Sequence, residues 1–136
     1  NSYLLTTENN KKRYNFIIKI LEDLIKKDKN IILLIPEIEK DAIFLEQLNN
    51  YFNHNIAFLH SQLSKGERFD QWLQIKKGEV QLAVGARSAI FAPFSKLDVV
   101  VIMEENNENY KGQEHPLYHA RQIAAKRLKN NNSIFK

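Results

Sequence analysis

Cysteine is absent from this sequence, and glycine nearly so. Without a thiol there is no disulfide framework, no thiolate zinc site and no cysteine nucleophile, a composition suited to a reducing cytoplasm. The four glycines, Gly66, Gly78, Gly85 and Gly112, leave the first 65 residues with none. That half therefore lacks the residue that takes positive φ freely, which a backbone cradle for phosphate requires. No apolar run approaches the roughly 20 residues that cross a bilayer, and the first residues carry neither a signal-peptide nor a lipidation pattern. The expectation is a soluble, cytoplasmic chain without a membrane partner. No charge of one sign dominates either: 20 Lys and Arg face 16 Asp and Glu for a net charge of +4. This balance permits nucleic-acid binding without demanding it.

The 136 residues, 43% of them apolar, suffice for one core and one domain. Residues 2–6 read as a short strand, after which Tyr14, Ile17, Ile18, Leu21, Leu24 and Ile25 recur with the helical period. Residues 31–35 form a β-branched and leucine run stopped by Pro36, the pattern of a strand covered on both faces. A second helix is predicted over 40–52 with Ile43, Phe44, Leu45 and Leu48 inward, and a strand over 56–59. Ser64 and Glu67 have capping-box spacing, which predicts a helix through Trp72 to about residue 75. Further strands are predicted over 80–84 and 99–103, a last helix over 116–128, a polar turn at 130–132 and the start of another strand at 133–135. Alternating strands and helices imply right-handed βαβ units around a mostly parallel sheet, with the functional crevice beyond the carboxyl ends of the strands. No nucleophile and base pair up along the chain, and no metal-ligand set is read from it. Adjacent carboxylates such as Glu104 and Glu105 on an extended segment point apart and do not form a dyad.

Several strings are more specific. Leu33-Leu34-Ile35-Pro36-Glu37-Ile38 is followed by Leu59-His60-Ser61-Gln62-Leu63-Ser64, by Glu67-Arg68 with Trp72-Leu73, and by Gly85-Ala86-Arg87-Ser88-Ala89-Ile90-Phe91-Ala92-Pro93. Glu104-Glu105, Tyr110-Lys111, Gln113-Glu114 and Tyr118-His119-Ala120-Arg121 continue the series. In order and spacing these resemble the first motor lobe of the PriA family, the bacterial replication-restart helicases of superfamily 2. The resemblance implies an α/β fold, a three-layer α/β/α RecA-like (P-loop NTPase-like) lobe with a mostly parallel sheet, spanning residues 1–136. It further implies a longer parent chain with a second lobe, a zinc-binding region and an N-terminal DNA-binding domain. ATP and Mg²⁺ are the implied cofactors, with no zinc in this segment. Single-stranded or forked DNA, primosome proteins and the loader of the replicative helicase are the implied partners.

The departures from the family pattern concentrate at the nucleotide. Where the family has a glycine-rich phosphate loop, this chain reads Thr7-Glu8-Asn9-Asn10-Lys11-Lys12-Arg13-Tyr14. Asn10, Lys11, Lys12, Arg13 and Tyr14 are thus the candidate cofactor-binding positions. Arg13 falls at the phosphate-binding lysine and Tyr14 at the Mg²⁺-holding hydroxyl, neither an equivalent replacement. Met103-Glu104-Glu105-Asn106 stands at the family's Asp-Glu-Glu-His, so a thioether replaces the metal carboxylate while Glu104 keeps the candidate catalytic position. Met103 itself reads as a packing residue at a strand end. On the nucleic-acid side Arg87, Ser88, Tyr110, Lys111, Tyr118, His119 and Arg121 supply the cations and aromatic faces that single-stranded DNA grooves combine. Ala86 lacks the threonine hydroxyl usual in the family, and Pro116 replaces an aromatic. Tyr118 reads equally as a helix residue packed on the sheet, and Arg121 as a brace to Glu114 or Glu105. Three readings follow: a lobe that binds DNA and has lost or impaired ATP hydrolysis, an active 3′–5′ helicase with an atypical phosphate site, or a primosome scaffold that binds neither.

Overall fold

The computed structural model describes residues 3–8, 14–35, 42–59, 64–104 and 118–130. In chain order these form β1 (Tyr3–Glu8), α1 (Tyr14–Lys26), β2 (Ile31–Leu34), α2 (Ala42–Tyr51), β3 (Ile56–Leu59), α3 (Lys65–Lys76), β4 (Leu82–Gly85), a 3₁₀ helix (Arg87–Phe91), β5 (Val99–Glu104) and α4 (Tyr118–Asn130). The five strands make one sheet in the order β1-β5-β2-β4-β3, and every pairing is parallel. Among the described residues no helix is long and apolar enough to cross a membrane.

Strand pleat divides the core in two. On β2, Ile32 and Leu34 join one apolar cluster with Ile75 of α3 and Ala124 and Leu128 of α4. Their neighbours Ile31 and Leu33 point the other way, into a cluster with Ile17 and Leu21 of α1 and Phe44 and Leu48 of α2. The sheet is therefore sandwiched between α1 and α2 on one face and α3 and α4 on the other, which is why its central strands read as unbroken hydrophobic runs. This is the three-layer α/β/α architecture expected from the sequence.

Local chemistry sets the element ends. The Ser64 hydroxyl accepts the backbone N–H of Glu67 at 3.1 Å and caps α3 as its spacing predicts. Beyond its last turn, Gly78 at φ +76° lets Gly78 and Glu79 donate back to Ile75 and Gln74. The same closing turn after α1 is made by Asp28 at φ 60°, in the glycine-free half, at a cost of about 1 kcal/mol. At the amino end of β5, nearly buried Asp98 accepts the Asn30 N–H at 2.9 Å, while the Asn30 amide donates to the Lys96 carbonyl at 2.7 Å.

Three expectations need correction. Ile43 is 65% exposed, because Phe44, Leu48 and Phe52 define the inward stripe of α2 and residue 43 lies about 100° off it. The fourth strand starts at Leu82 rather than 80, since Gln81 is engaged by its side chain and backbone with Asn55. Asn130 closes α4 rather than opening a turn. The strand expected at 133–135 lies outside the described residues.

Candidate nucleic-acid interface

Parallel strands bring their carboxyl ends to one edge of the sheet, where Glu8, Leu34, Leu59, Gly85 and Glu104 end β1, β2, β3, β4 and β5. The chain leaving β4 turns sharply. An added Cβ on Gly85 would lie 2.6 Å from the Leu59 carbonyl oxygen and 2.8 Å from the Ala89 Cβ, so only glycine lets β3 and the 3₁₀ helix approach this closely. The helix opens on extended Ala86, which offers no side-chain cap but accepts the Ala89 N–H at 2.9 Å, and closes with the Ala92 N–H donating to the Ala89 carbonyl at 3.0 Å.

Arg87 and Ser88 sit in the first turn of this 3₁₀ helix and are exposed, whereas Ala89 and Ile90 anchor it in the core. From α4, Arg127 donates to the carbonyls of Ile90 at 2.7 Å and Phe94 at 3.3 Å. Burial pushes the Arg127 guanidinium below its ordinary pKa, yet arginine remains charged at any physiological pH. Both carbonyls thereby gain a charged donor, which ties the segment carrying Arg87 and Ser88 to α4.

The nucleotide corner is built differently. Tyr14 opens α1 with its ring stacked on Phe44, centroids 4.2 Å apart and planes 12° from parallel. A phenol held in helix–helix packing does not fit the short hydroxyl that ligates Mg²⁺. Met103 is fully buried in the cluster with α1 and α2, as its sequence reading anticipated, and a buried thioether does not fit a hard cation either. Glu8 is the register partner of Glu104 on the adjacent parallel strand, which places two acidic residues at neighbouring positions. Among the described residues no group of three or more His, Cys, Asp or Glu is arranged to hold a metal ion.

Of the other candidates, Asn10, Lys11, Lys12, Arg13, Tyr110 and Lys111 lie outside the described residues. Tyr118, His119 and Arg121 fall on the first turn of α4. The structure thus brings Arg87 and Ser88 together on one turn and leaves Tyr14 apart from them, in the α1–α2 packing.

One feature escaped the sequence reading. Beside Ser88 opens a groove of about 620 Å³, lined by Lys65, Arg68, Phe69 and Trp72 of α3 and by Phe91, with Leu59 and Ala92 at its base. The Gln71 side chain accepts the free N–H of Phe58 on edge strand β3 at 2.8 Å and so ties α3 to the sheet. The signal was cations sharing a helical face with aromatics: 65, 68, 69, 72 and 76 follow one another at intervals of three, one, three and four residues.

No family model matches the chain. It is 42% identical over 113 residues to the replication restart protein PriA of Bacillus subtilis, an alignment covering 83% of this chain and 14% of that protein. With PriA of Treponema pallidum it shares 36% identity over 118 residues, 87% of this chain and 18% of that protein. Among solved structures it is similar to Saccharomyces cerevisiae Dbp5 bound to RNA and ADP BeF3, with a TM-score of 0.55 at 9% identity, covering 99% of this chain and 40% of that one. It is also similar to Mss116p DEAD-box helicase domain 2 bound to an RNA duplex, with a TM-score of 0.54 at 14% identity over 79% of this chain and 55% of that one. These structural likenesses show the fold alone, which is RecA-like. The chain spans 14–18% of the length of those two curated relatives, and by sequence it belongs, as one segment, to the PriA family of replication restart proteins.

Proposed function

We propose that the chain is the first motor lobe of a PriA-type superfamily 2 DNA helicase, that it binds single-stranded or forked DNA, and that ATP hydrolysis in this lobe is lost or strongly impaired. The observation that carries this reading is a contrast along one edge of the sheet. The turn after β4 presents Arg87 and Ser88 on a frame fixed by Gly85 and Arg127, beside a groove of basic and aromatic residues. At the other corner Tyr14 and Met103 are committed to packing, and the register sets Glu8 beside Glu104. Micromolar nucleotide affinity amounts to roughly 8 kcal/mol, and charge-assisted bonds supply about 1.5–3 kcal/mol each. Losing two or three of them, with an added like charge nearby, removes most of it. Cations at the β4 turn pair equally well with the phosphates of a strand and need no metal. Work at replication restart, with primosome proteins and the helicase loader as partners, follows from the family.

Fluorescence anisotropy with labelled oligo-dT over a range of salt tests the DNA half. Affinity should fall steeply as salt rises, and Arg87→Ala should lower the slope of log K against log salt by about 0.7, one single-strand phosphate contact. An unchanged slope would assign Arg87 no phosphate, and no binding of the oligonucleotide would favour a scaffold role.

A further inference from the structure

The outer face of α3 has a composition that packing does not explain. Phe69 is 58% exposed and Trp72 37%, and Phe91 across the groove is 66% exposed. These are three of the six large exposed apolar side chains among the described residues, gathered around one groove. Helix α3 is anchored by Ile75 in the core and Gln71 on β3, so the aromatics are not needed to hold it. Their rings are nonetheless ordered. Phe69 and Trp72 lie 12° from parallel with centroids 6.4 Å apart, and the Lys76 ammonium sits 4.8 Å from the Trp72 ring centre.

Charge is sorted around the same helix. Among the described residues Lys65 and Arg68 line the groove and no acidic residue does, whereas Glu67 and Asp70 line a separate hollow with Phe58 and Gln71. An occupant that complements flat aromatic faces and nearby cations must carry planar apolar groups and regularly spaced negative charge. Single-stranded nucleic acid has both. The groove also opens at the carboxyl edge of the sheet, beside Ser88, where ligands of open α/β sheets bind.

We infer that the groove between α3 and the 3₁₀ helix is a base-stacking site for single-stranded DNA. Unpaired bases lie against Phe69, Trp72 and Phe91, and the adjoining phosphates pair with Lys65 and Arg68. The inference rests on the DNA-binding reading above and adds to it a second group of contacts, on α3, that grips bases rather than phosphates alone. Stacking of this kind tolerates any base, because every base offers a π-face.

Trp72 is the only tryptophan of the chain, so emission under selective tryptophan excitation reports on this groove. The chain is titrated with oligo-dT and with an abasic strand of the same length, following anisotropy of a label on the DNA and Trp72 emission together. The expected result is quenching of Trp72 that saturates with the anisotropy change for oligo-dT, and binding of the abasic strand without quenching. Phe91→Ala alters an exposed side chain outside the core. It should weaken oligo-dT about tenfold and leave the abasic strand unaffected. Anisotropy showing oligo-dT binding with Trp72 emission unmoved and Phe91→Ala binding like the parent overturns the inference while the DNA-binding reading stands. No binding of either strand overturns both. Quenching by poly-glutamate but not by oligo-dT overturns it too, and assigns the groove to an acidic protein segment.

Discussion

Two corners of the same sheet edge differ in what their side chains are used for, and the proposed function rests on that difference. At the β3–β4 corner, glycine stands where backbone must touch backbone, arginine on α4 satisfies the turn's carbonyls, and the exposed side chains are Arg87, Ser88 and Phe91. At the β1–β5 corner two residues at positions the family resemblance assigns to the nucleotide site are packed: Tyr14 on Phe44, Met103 in the core. Both corners keep the strand order and the layers, because the core needs only apolar volume with the right pleat. A phosphate site needs particular atoms, so the loss proposed for it requires no loss of the fold.

The largest effect should come from Gly85→Ala, which forces a Cβ to within 2.6 Å of the Leu59 carbonyl. Either β3 or the 3₁₀ helix has to move, at about 3 kcal/mol, read as a lower urea midpoint. Gly66→Ala meets nothing within 4 Å and should instead stabilise α3 by about 0.5 kcal/mol. Equal effects of the two substitutions would break the claim that the β4 turn is sterically tuned. Next comes Arg127→Ala, which strips the partners from the Ile90 and Phe94 carbonyls. It should cost about 2 kcal/mol and speed amide exchange in the Arg87–Phe91 segment, since the buried acceptors lose their donor.

Removing the Tyr14–Phe44 stack with Tyr14→Ser should cost about 1 kcal/mol or more, and should not bring nucleotide binding with it. That separates a packing residue from a metal-ligand position by one substitution. The smallest effect lies away from both corners. The hydrogen bond from the Tyr51 hydroxyl, and after it Lys26, holds the Glu22 carboxyl below its usual range. Its contribution is present above the unfolded-state value and is lost as pH falls through the lowered one. Tyr51→Phe should move the Glu22 titration upward by NMR, so the loss becomes smaller and is complete at a higher pH.

What the sequence revealed divides by the range of the forces involved. β2 and β5 are legible because unbroken apolar runs suit only a strand covered on both faces, and α1 because its apolar residues keep a single helical phase. Ile43-Phe44-Leu45 carries no phase by itself, and Ile43 was therefore assigned the wrong face. Phe69, Trp72 and Ile75 look like one core stripe in sequence, yet only Ile75 is buried, a distinction made by the sheet and Gln71 rather than by α3. The 3₁₀ helix was not foreseen because the side chain that ties it down, Arg127, is far away in the chain. The motif around Arg87 was readable as a string of residues. Its frame was not.

The central claim, that the nucleotide corner has given up its chemistry while the β3–β4 corner keeps its own, meets its most direct test in calorimetric titration of Mg·ATP into the chain. The account predicts no saturable heat through the micromolar range. Saturable binding at low-micromolar concentration would contradict it.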